Sequence, residues 1–158
     1  MEEYELLIKR ALFNLKTADH LIYVTYPLVN DPKLITSIIG RLFSALDDTI
    51  TAILNYDYLY KRINSIPDGL DDKLELFKKV IDKRYSFDRN ILSLISELNK
   101  FVEFRNKSPI EFVRRENLVV CSPSYNTKAI NFRKVKEYVN QSKMFIFNVA
   151  RLLIKNGI

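Results

Sequence analysis

The chain has 158 residues, with 25 Lys+Arg against 19 Asp+Glu and a formal net charge of +6. One Cys, one His and three Gly exclude an internal disulfide framework, a Cys/His zinc site built from one chain, and any glycine-rich loop that could cradle a phosphate. The length suits a single domain burying roughly 70% of its unfolded surface, and the longest nearly apolar stretch, residues 21–29, falls far short of the roughly 20 residues that span a bilayer.

Tyr4, Ile8, Ala11, Leu15, Ala18 and Ile22 follow a 4-3-4-3-4 spacing, which predicts a first helix with one apolar face. Glu2, Glu3 and Glu5 favour its N-terminus through the helix dipole, and Pro27 predicts its end near Tyr26. Asp31 as N-cap and Pro32 at the first helical position start a second helix. Its stripe is Ile35, Ile39, Leu42, Leu46, Ile50 and Ile53, flanked by Leu34, Ile38, Phe43 and Leu54. So wide an apolar arc belongs to a central helix or one facing another subunit. The segment NSIPDG, residues 64–69, is turn chemistry.

A third helix is expected from Leu70 to Arg84, with Leu74, Phe77 and Ile81 on one face. Ser86 is the candidate cap of a fourth, which carries Ile91, Ile95, Leu98 and Val102 and stops by Ser108 before Pro109. PIEFVRR reads as a short helical turn, and LVVC and TKAI around SPSYN as a small β-hairpin. Asn131 then caps a last helix with Val135, Val139, Ser142, Ile146, Val149 and Leu153 in register, and Gly157 lies just past its end. The expected architecture is all-α: an up-and-down bundle of about five helices over residues 1–158, with a small β-hairpin or loop insertion before the last helix.

Charge is unevenly placed. Between residues 105 and 136, Arg105, Lys107, Arg114, Arg115, Lys128, Arg133, Lys134 and Lys136 face only Glu111 and Glu116, so this window alone holds the whole chain's +6. Such clustering is the footprint of a polyanion partner, and Phe104, Phe112, Tyr125 and Phe132 in the same window are rings that stack on unpaired bases. The other reading is a solvated basic rim that pairs with the acidic first half or with another subunit.

Phe104-Arg105-Asn106, closing a helix before the last long helix of an all-α bundle, resembles the HEPN superfamily. The resemblance implies a four- or five-helix bundle, commonly a dimer, and in many members a metal-independent RNase with an Arg–polar–spacer–His signature. Arg105 and Asn106 match its first half. The window for the His reads Lys107, Ser108, Pro109, Ile110, Glu111. Without an imidazole to supply acid–base chemistry near neutral pH, Arg105 retains a bidentate phosphate contact, and Glu111 is the candidate substitute base. The run DHLIYVTYPLVNDPKL also resembles an archaeal family of unknown function and adds no mechanism.

Four further features carry expectations. His20 is expected at the surface or an interface; Asp47 and Asp48 in structural ion pairs with Arg41, Arg105 or another base; Tyr56 and Tyr60 on one helix face, in packing rather than a base-stacking platform; and Cys121 as a buried, inert thiol. The expected function is binding of RNA or a nucleotide-bearing partner, without competent nuclease chemistry and with no cofactor or metal. The site would centre on Arg105, Asn106 and Lys107, helped by Arg114, Arg115 and Arg133, in a cytoplasmic homodimer. The alternative is a protein-interaction module, for example the helical partner of a nucleotidyltransferase in a two-component system, using the apolar faces of the first two helices. A third is a metal-independent ribonuclease with a substituted base.

Overall fold

The structure, a computed structural model, describes residues 1–85 and 87–154, with residues 81–84 described by their backbone alone. The expected contact of the Ile81 side chain, the cap at Ser86 and the stop at Gly157 lie outside the described residues. Five long helices form there: α1 (Glu3–His20), α3 (Leu34–Leu59), α4 (Leu70–Arg84), α5 (Asn90–Asn106) and α6 (Phe132–Leu153), with a one-turn helix α2 (Tyr26–Val29) after α1. Three strands, β1 (Ile110–Arg114), β2 (Asn117–Cys121) and β3 (Thr127–Asn131), lie between α5 and α6.

The antiparallel pair α1 and α3 is the spine. Ile8, Ala11, Leu15, Ala18 and Ile22 on one side and Ile35, Ile39, Leu42, Leu46, Ile50 and Ile53 on the other are buried, as their spacing requires. Val135, Val139, Ser142, Ile146, Val149 and Leu153 seat α6 against this pair. Polar pairs tie the same helices. Arg10 donates to both oxygens of buried Asp48 at 2.7 and 2.6 Å, and Lys73 of α4 donates to Asp47 at 2.9 Å and Thr51 at 3.1 Å. The acidic pair is therefore structural, with partners Arg10 and Lys73 rather than Arg41 or Arg105. Tyr56 and Tyr60 do share a face, their rings 4.7 Å apart, and Tyr56 meets Tyr4 edge-on.

Three boundaries differ from the sequence reading. The first helix does not end at Tyr26. It widens into a π-helical turn over Leu21–Thr25, closed by the Tyr26 amide donating to the Leu21 carbonyl, and runs on through Pro27 to Val29. Proline cannot donate and its ring clashes with the carbonyl four residues back; the wider turn ahead of it relieves that crowding. Asn30, at φ 54°, then closes the helix. Second, α3 opens on a tight turn: Asp31 caps it as expected, its carboxylate accepting from the Lys33 amide, the Leu34, Ile35 and Thr36 amides donate to the carbonyls three residues back, and regular α-helix starts at Leu34.

Third, PIEFVRR is not a helical turn. Ile110 to Arg114 form an edge strand, so the insertion is a three-stranded antiparallel sheet in the order β1-β2-β3 rather than a hairpin alone. Pairing with β2 makes it a strand. Glu111 and Val113 pair with Val120 and Leu118, which pair in turn with Lys128 and Ile130. Leu118, Val120 and Ile130 are buried in the core, so this register faces the helices. Ile110 and Phe112 fall on the outer face and stay exposed.

Candidate nucleic-acid interface

The sheet divides the expected site residues between its two ends. Arg105, Asn106 and Lys107 close α5 beside the start of β1. There Arg105 Nε donates to Glu111 Oε1 at 2.7 Å, both side chains being partly exposed. Glu111 thus does face Arg105, across the bend that joins helix to strand. The contact balances the guanidinium charge within the chain and takes up one of its donors. Asn106 and Lys107 are exposed at this end. His20, the single imidazole, is exposed at the end of α1.

Arg114, Arg115 and Arg133 sit at the opposite end, three strand positions or roughly 10 Å beyond Glu111. Arg114 pairs with Asn117, and Asn117 with Asn131, so the register sets the β1–β2 turn beside the start of α6. Arg115 occupies that turn at φ 59°, a left-handed conformation that is costly for a side-chain-bearing residue. All three arginines are exposed, and none makes an ion pair among the described residues. The sequence-expected cluster is therefore two groups, one neutralised by its own carboxylate and one not.

Arg115 and Arg133 share a cleft of about 730 Å³ with Tyr26, Asn30, Glu116 and Phe132. The Tyr26 and Phe132 rings stack in parallel, centroids 3.8 Å apart and planes 3° from each other. Burial, with Glu116 and Asp31 nearby, pushes the Tyr26 phenol above its ordinary pKa, so it stays neutral. Asn131 caps α6 by accepting from the Lys134 amide at 2.8 Å. It lines the cleft with the first two residues of the helix, which brings the positive end of the α6 dipole to the wall. Two free guanidiniums, a helix N-terminus and an aromatic stack give a phosphate and a planar base complementary surfaces side by side.

Arg115, Phe132 and Arg133 were legible as basic and aromatic members of one charged window. Tyr26 and Asn30 were not, because no local spacing links them to a partner about a hundred residues away. Cys121 is buried, its Sγ 3.5 Å from the Ser122 carbonyl oxygen. No helix of the described residues is long and apolar enough to cross a membrane. Compared with known protein families, with curated proteins and with solved structures, the chain matches none.

Proposed function

We propose that this chain binds single-stranded RNA or a nucleotide-bearing partner at the Arg115–Arg133 end of its sheet, and does not cleave it. The observation that carries the reading is the cleft in which two unpaired arginines from different elements adjoin the stacked rings of Tyr26 and Phe132. Arginine forks suit phosphate oxygens, and ring faces take any base, so the specificity is for unpaired strands. The likeness to the HEPN superfamily belongs to this proposal and rests on Arg105 and Asn106 at the end of α5. Cleavage in that manner lacks its imidazole, and Arg105 is engaged with Glu111.

The test is fluorescence anisotropy with a short single-stranded RNA and its duplex. Saturable binding that prefers the single strand and falls at least tenfold in R115A/R133A is expected. No binding at low salt, or equal binding by the double variant, overturns the reading. Incubation of several RNAs in EDTA is expected to leave them intact; cleavage lost on R105A would establish the ribonuclease instead. A second reading, the protein-interaction module, is favoured by the exposure of Leu6 and Phe13 on α1. It predicts a stable complex with a protein partner that L6E/F13E abolishes and R115A/R133A spares.

A further inference from the structure

A different set of cations lies on the α5 side of the sheet. Lys100 of α5, Lys128 of β3 and Lys134 of α6 line one cavity of about 330 Å³, together with Glu97, Phe101 and Tyr138. Three ammonium groups against one carboxylate leave this wall net positive. Lys128 pairs in register with the fully buried Val120 but is itself exposed at the edge of the sheet. Its ammonium lies over the Phe104 ring, 5.1 Å from the centroid.

Lys134 is held in the same way over the Tyr138 ring, also at 5.1 Å. Cation–π contact restrains two of the three flexible side chains and adds no negative charge. Burial, with the Glu97 carboxylate nearby, raises the Tyr138 pKa, so the phenol keeps its proton. Glu137 reaches Lys134 at 4.0 Å, the outer limit of an ion pair, and Lys100 also lines a neighbouring groove with Asp71, Asp72 and Glu75.

We propose that the cavity bounded by Lys100, Lys128 and Lys134 is a binding site for a small multiply charged phosphate, of the size and charge of pyrophosphate. Like charges held around one concavity repel each other, and a polyanion with several acceptor oxygens relieves that repulsion and gives each ammonium a partner. The volume admits two linked phosphate groups. The site is independent of the Arg115–Arg133 cleft and stands or falls without it.

Pyrophosphate titration at constant ionic strength, read by isothermal calorimetry and by amide shifts of residues 128–134, tests this. The full chain is expected to saturate, with K100Q/K128Q/K134Q weakened at least tenfold and K100R/K128R/K134R retaining most of the affinity. R115A/R133A is expected to stay within twofold of the parent. Absence of saturable binding overturns the proposal, as does equal binding by the glutamine variant. So does a loss in R115A/R133A matching that of the glutamine variant, which would assign pyrophosphate to the arginine cleft. Thermal melts confirm that each variant is folded before it is titrated.

Discussion

If Arg115 and Arg133 hold phosphates, the salt dependence of RNA binding should report them by number. Each phosphate neutralised on a single strand contributes about 0.7 to the slope of log K against log salt. Among the described residues neither arginine has an acidic partner to lose first, so R115A/R133A should flatten the slope by about 1.4, twice that increment. Between 50 and 200 mM salt, a fourfold change, the parent should then lose about sevenfold more affinity than the double variant. F132A is expected to act differently. Removing one ring of the Tyr26–Phe132 stack costs about 1 kcal/mol of base stacking, or about fivefold, at every salt concentration. Its slope should match the parent. R105A is the internal control, because Arg105 already donates to Glu111 at 2.7 Å, and its slope should change by less than half of one contact. Anisotropy titrations at four salt concentrations measure all of this. A slope that falls for R105A and holds for R115A/R133A would refute the reasoning and return the site to the end of α5.

Two further outcomes follow from the polar network inside the bundle. Asp48 is 5% exposed, whereas the Arg10 side chain is 63% exposed. R10A should therefore cost more than D48A: it strands a buried carboxylate, by about 2 kcal/mol after discounting for solvent at the arginine, against about 1 kcal/mol for D48A, whose arginine turns to water. Urea unfolding checks the order, and equal losses would contradict it. Tyr85 donates to the fully buried Asp57 at 3.0 Å, and burial, then the Asp57 charge, pushes its pKa from 10.0 up to about 12. A raised folded-state value means that its contribution is fully present below pH 10 and is lost as pH rises towards 12. Stability should drop over that window, less steeply in Y85F, and absorbance at the tyrosinate band should show a late-titrating phenol.

The legible parts of this fold are those in which one local period decides the outcome. The 4-3-4-3-4 stripes of α1, α3 and α6 determine which faces are buried, because a single rotation of each helix hides all of its apolar residues at once. Pro27 misled because its penalty assumes α-helical hydrogen bonding; a π turn over Leu21–Thr25 removes the conflict. PIEFVRR misled because five exposed residues have no burial pattern to read. Strand β1 exists through its pairing with β2, a tertiary cause that propensity does not carry.

The same distinction governs the site. Charge density along the chain located the basic window, since most of its cations lie on the sheet or at the start of α6. It did not separate cations held by their own chain from those left open, because that depends on the bend between α5 and β1 bringing Glu111 onto Arg105. The motif-like pair Arg105–Asn106 and the unpaired arginines thus pull apart along one strand. On the proposed function, phosphate recognition belongs with the arginines that have no acidic partner among the described residues, and the aromatic stack beside them depends on Tyr26, placed there by the turn through which α1 passes its proline. A substitution such as P27A, which frees that turn to return to α-helical geometry, should therefore shift Tyr26 from Phe132 and weaken RNA binding while leaving the α1–α3 spine intact. Unchanged affinity in a variant whose Tyr26 signals have moved would show that the stack is not part of the site.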